Sequence, residues 1–341
     1  MMLREINEFK NSYIPLLKDF KMSYDNLPQT RTYLGSGGSG TAYRVHMNEQ
    51  DVVLKYYHPE AHAYHTFFPE AFLMSQIQSP YVVKLKAILY SEEDAQPPAI
   101  TMKYYPTTLK QRLEHKDAVS LEQLYQWGMQ LSEGLAAIHE KGWLHKDLRS
   151  NNIFLDEKSH AVIGDLGEAS PQSSSKIATR NWRYSAPELM EQLFTQEFAT
   201  GTTYSDVYSL GVLFWEMVTH KAPFRDDSHE QIIIKKYQSI HEKIPSECPS
   251  FLKQVIEACW NNDPSKRPSA QALRDQFAAA LLELNKKDSM STAENTDASL
   301  LAQSMQKGGI LRSKQSENHK KEGPGVDLTI YPPLTASRSN K

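Results

Sequence analysis

The spacing of apolar residues changes several times along this chain, and each change marks an element. Leu3, Ile6, Phe9, Ile14, Leu17 and Phe20 recur at helical intervals with Lys, Asp and Asn between them. That period predicts an amphipathic helix packed on the main body and broken at Asn26-Leu27-Pro28. Short strand-like runs then flank a glycine-rich turn, Gly35-Ser36-Gly37-Gly38-Ser39-Gly40, and the apolar strand Val52-Val53-Leu54 ends in Lys55. Glu70 to Ile77 is helical in period, with Pro69 marking a late or irregular start and Ser79-Pro80 a stop.

Further on, Ile100 to Tyr105 reads as a strand and Leu121 to Lys141 as helix. Ile153-Phe154-Leu155 and Ala161-Val162-Ile163 read as short strands, and Ser205 to Glu216 as a largely apolar helix. From about Asn285 the residues shift to Ser, Lys, Asn, Gln and Gly with few aromatics, the composition of a disordered segment. Leu300, Leu301, Ile310 and Leu311 offer a candidate docking segment there, against the plainer reading of an unstructured tail.

Composition narrows the function classes. A chain of 341 residues, 40% hydrophobic and 23% charged, is ordinary for a globular protein with a substantial core. A net charge of −3 argues against a nucleic-acid surface. Cys248 and Cys259 are the two cysteines, too few for a disulfide framework and consistent with a reducing compartment. Charges interrupt the first ten residues, so no secretory signal is expected, and the apolar run from Leu210 to Val218 is too short to span a bilayer. A cytoplasmic protein without a membrane span is expected, with delivery into another cell left open, as is its oligomeric state.

Candidate chemistry concentrates in His145-Lys146-Asp147-Leu148-Arg149-Ser150-Asn151-Asn152, followed by Asp165-Leu166-Gly167. Phosphoryl transfer needs little covalent chemistry, but it needs a group to orient a hydroxyl and oxygen donors for a hard cation. Asp147 suits the first task, and Asn152 and Asp165 the second. The bland alternative is a turn in which Asp and Asn bond nearby backbone.

These residues resemble the catalytic and metal-binding loops of eukaryotic-type protein kinases, with patterns H-R-D-x-x-x-x-N and D-F-G. Ala186-Pro187-Glu188, Asp206 and Arg267 fit the same family in order, and Ser150-Asn151-Asn152-Ile153-Phe154-Leu155 is similar to its tyrosine-kinase-like, Raf-like branch. The resemblance implies an α+β bilobal fold, with a β-rich N-lobe at about 28–102 and a helical C-lobe at about 106–285. Residues 1–27 would be a helical extension and 286–341 a disordered tail.

The resemblance also implies ATP and Mg²⁺, with Mn²⁺ as a substitute, and a protein substrate. It assigns catalysis to Asp147, Lys55 and Asn152, and metal binding to Asn152 and Asp165. Nucleotide binding falls to Leu34, Gly35, Ser36, Gly37, Gly38, Ser39, Gly40, Ala42, Lys55, Glu70, Met102, Tyr104 and Phe154. Glu70 would pair with Lys55, Glu188 with Arg267, and Asp206 with the catalytic-loop backbone.

Four departures stand out. Lys146 replaces an arginine and loses its planar fork, Leu166 replaces a phenylalanine, and Ser39 sits where the loop tip often carries an aromatic. Arg149 mixes serine/threonine and tyrosine signals. An active kinase for Ser/Thr, with dual specificity open, is the leading expectation, and a pseudokinase scaffold the alternative. The serines between Ala169 and Arg183 are candidate autophosphorylation sites, with Lys146, Lys176, Arg180 or Arg183 as phosphate partners.

Overall fold

The computed structural model describes residues 2–58, 63–91, 96–115, 117–174, 176–177, 181–195 and 199–287. The tail from 288 onward lies outside them, as do Ser175, Thr179, Arg180 and the Leu300–Leu311 segment. Residues up to Leu284 cluster as one compact unit.

The first lobe is built on a five-stranded antiparallel sheet in the order β1-β2-β3-β5-β4. Its strands are β1 (Thr32–Ser36), β2 (Gly40–Met47), β3 (Gln50–Tyr57), β4 (Leu85–Leu89) and β5 (Ala99–Lys103). β2 turns into β3 over Asn48 and Glu49, both with positive φ (51° and 61°), the geometry that matches the twist of a tight hairpin. Ala42 is registered opposite Lys55, and Lys55 opposite Ile100.

Helix α2 (Ala63–Gln76) packs on this sheet and helix α1 (Met2–Leu17) packs on α2, with Leu17 fully buried. A 3-10 turn at Lys18–Phe20 ends α1 earlier than the Asn26-Leu27-Pro28 break expected from sequence. Contrary to the expected late start, α2 begins at Ala63, so Pro69 lies inside the helix. Its ring removes one N–H without stopping the helix, because Phe67, Phe68, Ala71 and Leu73 are wholly buried and tertiary packing overrides the local preference.

The second lobe is helical, with α3 (Leu109–Glu114), α4 (Leu121–Glu140), α5 (Pro187–Thr195), α6 (Thr203–Thr219), α7 (His229–Tyr237), α8 (Ser250–Cys259) and a last helix over 270–287. Leu131, Leu135, Leu210, Leu213, Phe214 and Phe277 are completely buried and form its centre. Ser120 and Thr202 cap α4 and α6 by accepting the Gln123 and Ser205 N–H groups. Short strands β6 (Thr107–Thr108), β7 (Trp143–Leu144), β8 (Ile153–Leu155) and β9 (Ala161–Ile163) lie where the chain passes under the first lobe, in a β6-β8-β9 sheet and, for β7, a pairing with Ser170–Pro171. The loop from His145 to Asn152 runs between β7 and β8.

Candidate active site

A cleft of about 430 Å³ opens between the sheet and the β6-β8-β9 layer. Leu34, Gly35, Ser36, Gly37, Ser39, Gly40, Ala42, Lys55, Glu70, Met102, Tyr104, Asn152, Phe154 and Asp165 all line it. Of the expected nucleotide residues, Gly38 alone is outside the lining; it is exposed at the loop tip. Tyr105 and Arg149 also line the cleft, as do Val53, Thr107 and Gln111, which had not been singled out. Val53 was legible, since it shares a strand face with Lys55 two residues on.

One end of the cleft is charged. Lys55 Nζ donates to Glu70 Oε1 at 3.0 Å, Glu70 Oε2 at 2.9 Å and Asp165 Oδ1 at 3.1 Å. Burial works against the ammonium, but the two carboxylates outweigh it and raise its pKa, so Lys55 stays charged. Lys55 in turn holds Asp165 below the usual carboxylate range. Burial pushes Glu70 upward, opposed by Lys55 and by the Tyr57 hydroxyl, which donates to Glu70 Oε2 at 2.6 Å. Tyr57 was missed in the sequence, although its spacing from Lys55 puts both on one face of β3.

The other end is apolar. Tyr105 and Phe154 stack with centroids 5.6 Å apart and planes 5° from parallel. Gly164, just before Asp165, is needed here, because a Cβ would stand 2.2 Å from the Phe154 ring.

Asp147 stands beside the cleft with 18% of its side chain exposed. Asn152 Nδ2 donates to both the Asp147 carbonyl and its Oδ2 at 2.8 Å, which fixes the amide orientation and leaves the Asn152 oxygen unspent. Asn181 Nδ2 donates to Asp147 Oδ1 at 3.3 Å, a contact from a distant loop that no local pattern announced. Arg149 Nε is 3.3 Å from Oδ2, near enough for charge attraction but not aligned as a hydrogen bond.

His145 is fully buried, and its Nε2 faces the Gly164 carbonyl at 3.0 Å. Nε2 must therefore carry the proton, leaving Nδ1 to accept the Asp147 N–H at 3.2 Å. Asp206 takes the N–H groups of His145 (2.8 Å) and Lys146 (2.9 Å) and Nε2 of His139 (2.9 Å). Ser150 and Tyr184 hydroxyls donate to the two oxygens of Glu216 at 2.8 and 2.7 Å, tying the loop to the chain before Ala186. Arg267 meets Glu188 through two bonds of 2.7 and 2.8 Å.

Among the described residues no three His, Cys, Asp or Glu side chains form a metal cage. Asn152 and Asp165 are two oxygen donors of different charge, a set that suits a divalent cation completed by phosphates and water. Arg183, a candidate phosphate partner, spends one of its guanidinium nitrogens on backbone. Its Nη1 donates to the Pro223 carbonyl at 2.6 Å and to that of Phe224.

Residues 29–277 match the family model described as protein tyrosine and serine/threonine kinase. The chain belongs to this family. Its kinase domain is similar to the probable serine/threonine-protein kinase pats1 of Dictyostelium discoideum, at 27% identity over 282 residues, covering 75% of this chain and 8% of that one. It is similar to the Arabidopsis thaliana serine/threonine/tyrosine-protein kinase HT1, at 27% over 250 residues, 68% of this chain and 61% of that one. Similarity to serine/threonine-protein kinase CTR1 of Arabidopsis thaliana is 28% over 258 residues, 71% and 30% of the two chains. The kinase domain is thus of the eukaryotic type, near the tyrosine-kinase-like branch. The chain spans less than two thirds of the length of each of these relatives. A kinase of this family uses ATP, a divalent metal and a protein substrate. No helix among the described residues is long and apolar enough to cross a membrane.

Proposed function

We propose that this chain is an active protein kinase that transfers the γ-phosphoryl group of ATP to serine or threonine hydroxyls of a protein. The observation that carries this reading is Lys55 bridging Glu70 and Asp165 within 3.1 Å, in a cleft whose other wall carries Asn152. The catalytic domain takes residues 28–285, with 1–27 as a helical extension.

Each residue has a role that follows from its surroundings. Leu34, Ala42, Val53, Met102 and Phe154 supply apolar walls for a flat base, and the backbone near Tyr104 offers polar groups to its edge. The glycine-rich loop brings N–H groups to the phosphates. Lys55, kept charged and aimed by Glu70, grips them. Asp165 and Asn152 would hold Mg²⁺, or Mn²⁺ in its place, which supplies neutralisation of the phosphate charge.

Asp147 acts on the acceptor. Asn181 and Asn152 hold one oxygen each, so the carboxylate has a fixed direction in which to receive the substrate hydroxyl and its proton. Serine/threonine preference is supported by the relatives' names, two of which are serine/threonine kinases, while HT1 adds tyrosine and keeps dual specificity as the next reading. Two free, buried cysteines support a working site inside a cell. The test is a peptide-library phosphorylation assay with ATP and Mg²⁺. Phosphoserine and phosphothreonine products are expected; no turnover on any peptide or protein acceptor refutes the reading.

A further inference from the structure

The helix that carries Glu70 is held on two sides, by Tyr57 of β3 and by α1. At 3.6 residues per turn, Phe67 and Glu70 are neighbours on one face of α2, Phe68 and Phe72 lie on the side opposite Glu70, and Tyr64 falls between Phe67 and Phe68. Tyr57 meets the first face. Its hydroxyl donates to Glu70 Oε2 at 2.6 Å, its ring packs edge-on to Phe67 at 5.4 Å, and it is 1% exposed.

Helix α1 meets the second face. Tyr13 stacks on Phe68 at 5.9 Å and sits edge-on to Phe72 at 5.6 Å, and Lys10 Nζ lies 4.1 Å above the Tyr64 ring. The end of α1 is anchored in turn, because Leu17 is fully buried and the Met22 N–H bonds the Ile88 carbonyl of β4 at 2.9 Å. Rotating α2 to withdraw Glu70 would break an aromatic contact on one face and a buried hydrogen bond on the other.

We propose that Tyr57 is a positioning residue for the Lys55–Glu70 pair and that α1 braces α2 from behind, so that the site assembles without a phosphate on the segment after Asp165. Arg183 fits this arrangement, since its Nη1 already serves two backbone carbonyls of the turn after α6. The inference rests on the kinase reading of Lys55 and Glu70.

The test uses the full chain after phosphatase treatment. Treated wild-type protein should keep its rate to within about twofold. Tyr57→Phe, assayed at a temperature where the variant is fully folded, should lower kcat/KM for ATP about tenfold, the size expected for a hydrogen bond to a charged group. In a Glu70→Ala background the same change should cost nothing further, because Tyr57 acts through Glu70. Tyr57→Phe and Tyr13→Ala should each speed amide exchange over 63–76 but not over 203–219. An undiminished Tyr57→Phe effect in the Glu70→Ala background overturns the proposal, as does a rate that needs segment phosphorylation. A wild-type chain that transfers no phosphate refutes the kinase reading instead. Exchange over 63–76 then still decides this one: faster exchange supports it and unchanged exchange overturns it.

Discussion

Replacing Asp206 by asparagine changes no shape but removes a charge from under the catalytic loop. Asp206 is 2% exposed and accepts three hydrogen bonds, from His145 N–H, Lys146 N–H and His139 Nε2. Burial alone would push its pKa up; His139 and the His145 N–H overcome this and hold it low. An amide must turn its NH₂ toward one set of donors, and the cheaper choice gives up the single bond at Oδ1, to Lys146. A bond to a charged group contributes about 1.5–3 kcal/mol and a buried donor left unpaired costs about 1–3 kcal/mol. Lys146 also holds φ at 67°, in the left-handed region disfavoured by about 1–2 kcal/mol, and the Asp206 bond helps to keep it there. Asp206→Asn should therefore lower stability by about 3–5 kcal/mol. Denaturant unfolding measures this, and kcat at a temperature where both proteins are folded should fall as Asp147 loses its fixed place. A loss under about 1 kcal/mol with unchanged kcat would show that Asp206 does not support the loop.

A Cβ at Gly40 would stand 2.0 Å from the Tyr56 carbonyl oxygen, whereas one at Gly37 meets nothing within 4 Å. Gly40→Ala should cost about 1–3 kcal/mol by thermal or denaturant unfolding, and Gly37→Ala under about 0.5 kcal/mol; equal effects would contradict the loop geometry. Arg267→Lys should lose about 2–3 kcal/mol, because an ammonium cannot make both Glu188 bonds and the side chain is 0% exposed. Burial, with Lys236 and Arg267 nearby, depresses His241 below its ordinary 6.5, so the unfolded chain takes up the proton first. Its contribution is present above pH 6.5 and lost as pH falls below it; unfolding free energy should drop from pH 7 to 5.5, less steeply in His241→Asn.

Linear spacing made the lobes and the cleft legible to the extent that function sits in short motifs. Lys55 ends an apolar strand, and the Asp147–Asn152 interval sets the loop bond itself, so both could be read locally. Pro69 misled because a local preference was weighed without the four wholly buried residues around it. Tyr57 left a faint trace in its strand alternation, while Asn181 left none, since its contact with Asp147 spans 34 residues and depends on how the loop returns. Arg183 looked like a reserve cation from its sequence neighbourhood, yet the Pro223 and Phe224 carbonyls that engage its Nη1 come from a turn beyond α6.

The most direct measurement of the central claim is single-turnover transfer of labelled γ-phosphate to a protein acceptor by purified wild type, Asp147→Asn and Lys55→Met. Transfer by wild type, with a loss of at least about 100-fold in each variant, is the predicted result, since each change removes a group argued to act at the reacting phosphate or hydroxyl. Equal transfer by all three proteins would contradict the account.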